Sequence, residues 1–213
     1  GSLVGVAETK GAIYDALPED GVAVVNADDT FAPYFIERIG ARCRVVRYGL
    51  DATAEVWADA LVEDDAGSRF RLHSPWGQAD ITLPLAGRHQ VGNALAAATL
   101  ALAAGASLDD VVNGLARAEG VPGRQQTLML SHGVALLDDS YNANPGSVIT
   151  AVATLVAQAA RRAVPAWLVL GDMRELGPGA AVLHAEVGQR AREAGVARLF
   201  AVGEMSRHAV VAF

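Results

Sequence analysis

Two short polar stretches follow apolar runs in this sequence, and both consist of residue types that hold ligands. Val134-Ala135-Leu136-Leu137 ends in Asp138-Asp139, and Ser140-Tyr141-Asn142-Ala143-Asn144-Pro145-Gly146-Ser147 comes next. A carboxylate at the end of a buried strand can accept from ribose hydroxyls, and Asn142 and Asn144 offer donors and acceptors together. Gly171-Asp172-Met173-Arg174-Glu175-Leu176-Gly177 follows the run at 166–170 in the same manner. Open α/β sheets bind ligands outside the carboxyl ends of their strands, so two such loops at one sheet edge would form a crevice. Asp and Asn also cap turns for purely local reasons, and pattern alone leaves both readings open. The cations are equally uneven: 16 Arg and a single Lys, Lys10. Chemistry that needs a lysine amine has one candidate.

The elements that would position these groups follow from periodicity. Leu3, Val6, Ala7, Lys10, Ile13, Tyr14 and Leu17 fall at helical spacing over 3–17. After the turn Pro18-Glu19-Asp20-Gly21, Val22 to Val25 reads as a buried strand ending at Asn26. A helix from about Asp29 is expected to stop at Gly40, and Cys43 to Tyr48 is a second strand. Ala54–Glu63, Arg69–Ser74 and Gln78–Leu85 read as an antiparallel meander. Residues 90–104 form an alanine-rich helix, apolar over most of its circumference and therefore expected to be buried. Ser107 is a good N-cap for a helix at 108–117, with Asp109 and Asp110 near its positive end.

Glu119-Gly120-Val121-Pro122-Gly123-Arg124 is the best linker. Beyond it, strands at 126–130 and 134–138 precede a helix at 147–162, a strand at 166–170, a helix at 180–194, a strand at 198–202 and the start of another helix. Strand–helix alternation implies right-handed crossovers onto a parallel sheet. The expected fold class is α/β, with one domain over 1–122 and a second, parallel-sheet domain over 123–213 that has few strands for a covered sheet.

Bulk properties narrow the function. With 213 residues, 52% of them hydrophobic, the chain can build sizeable cores. A formal net charge of −7 argues against a nucleic-acid partner. The apolar runs are far shorter than the roughly 20 residues a bilayer needs, and the N-terminus has no signal-peptide pattern. A soluble cytoplasmic protein is expected, with no nucleic acid and no membrane insertion. Cys43 is the only cysteine, so neither a disulfide nor a cysteine metal site forms within the chain; it reads as a small buried hydrophobe. The spacing of His73, His89 and His132 supports no metal site.

Asp138 to Ser147, Gly171 to Gly177 followed by His184 and Gly188, and the block Gly87-Arg88-His89-Gln90-Val91-Gly92-Asn93 with its alanine-rich continuation resemble the Mur ligase family. The similarity runs from Gly1 to Phe213, and the two loops resemble the branch that joins D-alanyl-D-alanine to UDP-N-acetylmuramoyl-tripeptide. The resemblance implies an ATP-dependent amide ligase of peptidoglycan precursor synthesis, using ATP and Mg2+. Its fold would be the remainder of a mixed-sheet, P-loop-type ATPase domain, then an incomplete Rossmann-like domain. No G-x-x-x-x-G-K-[ST] phosphate loop occurs; in the family it lies upstream of a segment like Gly1 to Ala7, which Gly1-Ser2 would suit.

The resemblance also implies roles. Lys10 matches the lysine that CO2 carbamylates in several members, giving a carboxylate-like group that can hold Mg2+; arginine cannot do this, because it stays protonated. Otherwise Lys10 is an ordinary helix-surface lysine. His89 and Asn93 match a motif at a helix start that contacts the adenine end of ATP, with Gln90 where the family has Asn. Arg124 would meet the ATP phosphates and so act catalytically with Lys10. Asp139 would bind the ATP ribose, with Asp138 a neighbouring structural acid. Tyr141, Asn142 and Asn144 would line the cleft near the reacting ends. Asp172, Arg174 and Glu175 would shape the site for the dipeptide, and His184 would be a packing histidine. Closure about 120–125 would assemble the site, and a monomer is expected. Other readings are a folylpolyglutamate synthase-like ligase and a non-catalytic binding module. A nicotinamide-type oxidoreductase fails, because no G-x-G-x-x-G follows any strand.

Overall fold

The computed structural model describes residues 3–64 and 66–213; the Gly1-Ser2 pair lies outside the described residues. The chain divides into two compact units, one up to Glu119 and one from Gly120.

In the first unit, α1 (Leu3–Asp15) leads to β1 (Val22–Asn26), α2 (Ala32–Ile39) and β2 (Arg44–Tyr48). β1 and β2 pair in parallel, Val22 with Arg44 through Asn26 with Tyr48, as a helical crossover permits. α2 starts later than its apolar pattern suggests, because the Asp29 carboxylate accepts from Phe31 N–H at 2.7 Å and holds the preceding residues in a turn. Ala23, Val25, Ala32, Ile39 and Cys43 form the core between these elements, with Tyr14 and Phe35 against it. α1 ends two residues early and buries only Ala7 and Gly11, leaving Leu3, Val6 and Ile13 exposed.

β3 (Trp57–Asp64), β4 (Gly67–Ser74) and β5 (Gly77–Leu83) form the expected antiparallel meander. Its inner face, with Phe70, Leu72, Ile81 and Leu83, joins Val46 and Val56 under α3 (Arg88–Ala103) and α4 (Leu108–Leu115). α3 buries one stripe, Val91, Ala94, Leu95, Ala98, Thr99 and Leu102, and leaves Leu100 exposed. Its nearly uniform apolarity overstated how much of its surface is covered. At the start of α4, Ser107 and Asp110 exchange hydrogen bonds in a capping box.

In the second unit β6 (Gln126–Met129) and β7 (Ala135–Asp138) pair antiparallel. Only the short turn around Ser131–Gly133 joins them, too little chain for the crossover a parallel pair requires. Parallel pairing appears after α5 (Pro145–Arg161), between β8 (Trp167–Gly171) and β9 (Arg198–Val202), which are joined through α6 (Ala180–Glu193). α7 (Arg207–Ala212) follows β9. Val148, Val152, Leu170, Met173, Val187, Ala191, Leu199 and Ala209 form this unit's core. The α/β class holds, with parallel and antiparallel pairs together. No helix among the described residues is long and apolar enough to cross a membrane.

Candidate functional site

The β6–β7 register organises the polar groups at its open end. Gln126 pairs with Asp138, and the same register continued outward sets Gln125 opposite Asp139 and Gly123 opposite Tyr141. Both outer pairs are bonded: Gln125 N–H donates to Asp139 Oδ1 at 3.2 Å, and Tyr141 N–H donates to the Gly123 carbonyl at 3.0 Å. Val121 to Arg124 forms a turn closed by Arg124 N–H on the Val121 carbonyl at 3.0 Å. Pro122 occupies its second position and Gly123, at φ +73, its third, the arrangement of a type II turn. A Cβ on Gly123 would stand 3.1 Å from Tyr141 N, so a side chain there would also crowd the opposite strand. The turn brings the Arg124 guanidinium over the Tyr141 ring, 4.3 Å from its centroid. Arg124, Asp139 and Tyr141 thus form one cluster inside the second unit.

The loop from Asp138 to Asn144 is tied mostly to itself. Asp138 Oδ1 accepts from Ser140 N–H at 3.1 Å, a local turn. Asn142 Oδ1 accepts from Ala143 N–H at 2.9 Å. Asn144 is the N-cap of α5: its Oδ1 accepts from Ser147 N–H at 3.0 Å, and Ser147 Oγ accepts from Asn144 N–H at 3.1 Å. Pro145, with its fixed φ and no N–H to satisfy, follows at the first helical position. The Asn144 side chain therefore spends its carbonyl on the cap and keeps its NH2 for another partner. Tyr141 is 65% exposed, so its hydroxyl and ring edge are open to a ligand.

The loop after β8 is anchored at its start. Asp172 Oδ1 accepts from Ser206 N–H at 2.7 Å and Oδ2 from Glu204 N–H at 3.0 Å, which joins this loop to the one after β9. These backbone donors, Ser206 above all, hold the Asp172 carboxyl below the usual carboxylate range. Met173 is buried in the core, while Arg174 and Glu175 are exposed and Glu175 sits at φ +63.

In the first unit, His89 and Asn93 stand one turn apart on α3, with Asn93 Nδ2–H donating to Gln90 Oε1 at 3.3 Å. Gln90, present where the resemblance leads one to expect Asn, therefore supports Asn93 directly. The His89 ring folds back over Gly87, where a Cβ would come within 2.8 Å of its Cε1; Gly87 has φ +112. Lys10 is exposed on α1.

Mg2+ is the cation that the resemblance implies. Among the described residues no three His, Cys, Asp or Glu side chains are grouped to hold a metal. Unmodified Lys10 offers no oxygen ligand. The described residues by themselves form no cage for Mg2+.

One contributor to these loops carries no signal in the sequence, and another, His184, reads there as a packing histidine only. Gln125, at φ +51, supplies the N–H that fixes Asp139. Only the antiparallel register, not any motif, could have pointed to it. The His184 ring is fully buried, as a packing histidine would be, and it also accepts from Met173 N–H in the second loop.

Two family models match the chain: the Mur ligase middle domain over residues 1–101, and the Mur ligase glutamate ligase domain over residues 123–212. Together they take in most of the sequence. The chain belongs to the Mur ligase family. Among Mur ligases, it is 43% identical over 211 residues to the UDP-N-acetylmuramoyl-tripeptide–D-alanyl-D-alanine ligase of Escherichia coli, covering 99% of this chain and 45% of the relative. The ligase of the same name from Mycobacterium bovis is 40% identical over 210 residues, covering 95% of this chain and 40% of the relative. A crystal structure of MurF from Acinetobacter baumannii superposes with a TM-score of 0.88 at 31% identity, over 100% of this chain and 45% of that one. This Mur ligase chain thus spans less than half the length of the curated relatives it matches.

Proposed function

We propose that the full-length polypeptide carrying this sequence is an ATP-dependent ligase that adds D-Ala-D-Ala to UDP-N-acetylmuramoyl-tripeptide in the cytoplasm. The observation that carries the reading is the joined cluster of Arg124, Asp139 and Tyr141, in a chain 43% identical to a ligase of that name. An oxygen of the tripeptide's terminal carboxylate attacks the γ-phosphorus of ATP, the bond to the β–γ bridging oxygen breaks, and ADP leaves. The dipeptide amine then attacks the acyl carbonyl of the resulting acyl phosphate. The carbonyl–oxygen bond to phosphate breaks, phosphate departs, and the nitrogen gives up a proton.

Each side chain suits one part of this sequence. Arg124, propped on Tyr141, presents a planar cation to the charge that spreads over the transferring phosphoryl group. Asp139 keeps acceptor capacity for the ribose hydroxyls beyond its bond to Gln125. His89 and Asn93 serve the adenine end, and Lys10 serves as a carbamate. The Asn144 NH2, Asn142 and the Tyr141 hydroxyl serve the reacting ends. Asp172 fixes the loop that offers Arg174 and Glu175 to the dipeptide. Mg2+ would be held by the ATP phosphates rather than by these residues, and the enzyme works as a monomer.

An amine-acceptor panel tests the reading. With ATP and UDP-N-acetylmuramoyl-tripeptide present, D-Ala-D-Ala should be consumed in preference to glutamate or diaminopimelate. Preference for glutamate would move the protein to another branch of the family.

A further inference from the structure

The loop after β8 has a second anchor besides Asp172. His184, on the second turn of α6, is fully buried, and both ring nitrogens are engaged. Nδ1 lies 2.7 Å from the Ala180 carbonyl, and Nε2 lies 2.9 Å from the Met173 nitrogen. A carbonyl can only accept and a peptide N–H can only donate, so the partners fix the tautomer. The proton sits on Nδ1, and Nε2 is a bare acceptor. An imidazole held in this way is a directional connector between the first turn of α6 and the peptide between Asp172 and Met173.

That peptide is the point from which the loop departs. Asp172 is tied to the β9–α7 loop, the Met173 side chain is sunk in the core, and the Met173 N–H is held by His184. Two residues later Glu175 adopts φ +63, a left-handed conformation that is strained for a non-glycine residue. Such a conformation persists when its surroundings over-determine it. The exposed pair Arg174 and Glu175 follows directly from the anchored segment. One cation and one anion are complementary to the two ends of a small zwitterionic peptide.

We propose that His184 is a positioning residue for the incoming dipeptide: as the Nδ1-protonated imidazole it holds Met173 N–H and so sets how Arg174 and Glu175 are presented. The inference rests on the ligase reading for the identity of the ligand. The anchoring itself is independent of that reading.

Two variants separate the two bonds. In His184→Gln the side-chain amide oxygen reaches about where Nε2 stands and keeps an acceptor for Met173 N–H. In His184→Asn the amide sits near Nδ1, keeps the contact to Ala180 and leaves Met173 N–H without a partner. Both are made in the full-length polypeptide and compared with the parent by amide hydrogen exchange and steady-state kinetics. His184→Asn should speed exchange at Met173 about tenfold, the equivalent of one lost hydrogen bond. It should also raise KM for D-Ala-D-Ala about tenfold and leave KM for ATP within about twofold. His184→Gln should recover most of both effects. Equal changes in the KM of every substrate, or a Gln variant no better than the Asn variant, would overturn the proposal. A parent enzyme that ligates no dipeptide, with Met173 exchange still responding to His184→Asn, would sink the ligase reading and the dipeptide assignment while leaving the anchor standing.

Discussion

Gln125 and Asp139 stand opposite each other one step beyond the last paired residues of β6 and β7, and the Gln125 N–H donates to Asp139 Oδ1 at 3.2 Å. One oxygen of the carboxylate is thereby fixed by a backbone N–H. Two steps further out, Gly123 and Tyr141 are bonded in the same register, and Arg124 lies over the tyrosine ring. A two-stranded hairpin is a short lever, yet it sets the relative positions of three polar groups drawn from two separate stretches of sequence.

Asp139→Asn keeps an acceptor for Gln125 N–H and removes the charge that the proposed ribose contact uses. KM for ATP should rise roughly 10- to 100-fold, the worth of a charge-assisted hydrogen bond, with little change in thermal stability. Asp139→Ala should weaken ATP binding at least as much and lower Tm as well. Steady-state kinetics and a thermal scan check both, and an unchanged KM in Asp139→Asn would remove the carboxylate from nucleotide binding.

Asn144 has a capping carbonyl and an uncommitted NH2, and substitution can separate them. Asn144→Ala should lose about 1 kcal/mol of stability along with the cap. Asn144→Asp should retain the cap and the stability but lose ligase activity if the NH2 meets the substrate. Denaturant unfolding and kcat/KM decide it: full activity in the aspartate variant would leave Asn144 with the cap alone.

Asp172 gives a pH signature. Its folded carboxyl titrates below the ordinary carboxylate range because backbone N–H groups, that of Ser206 first, hold the charged form. Its contribution to stability is therefore complete above an unfolded value of about 3.9 and is lost as pH falls through the lower folded value. Asp172→Asn should be less stable than the parent at neutral pH, and the gap should narrow as the parent's carboxyl is protonated. A difference in Tm that stays constant from pH 7 to acid would contradict this.

Local chemistry was legible in the sequence, and distant pairing was not. Ser107 marks the start of α4 within one turn, whereas the helix expected at 147–162 begins at Pro145, because Asn144, read as a cleft residue, caps it. Pro122-Gly123 likewise marks its own turn. Asp172 was readable as a loop carboxylate, but its partners lie more than 30 residues on, in a loop with no pattern of its own. His184 read as a packing histidine because burial and spacing carry no information about which backbone N–H a ring nitrogen meets. Leu3, Val6 and Ile13 fall at helical spacing, and α1 forms there, yet these side chains are exposed. Periodicity shows which face is apolar, and what covers that face is a separate matter.

In the proposed reaction the full-length polypeptide makes an acyl phosphate on the tripeptide, transfers the acyl group to the amine of D-Ala-D-Ala and releases phosphate. UDP-N-acetylmuramoyl-tripeptide labelled with 18O in its terminal carboxylate tests this most directly. One 18O atom should appear in the phosphate released per amide bond formed, with release depending on the dipeptide. Unlabelled phosphate, or phosphate released at the same rate without D-Ala-D-Ala, would contradict it.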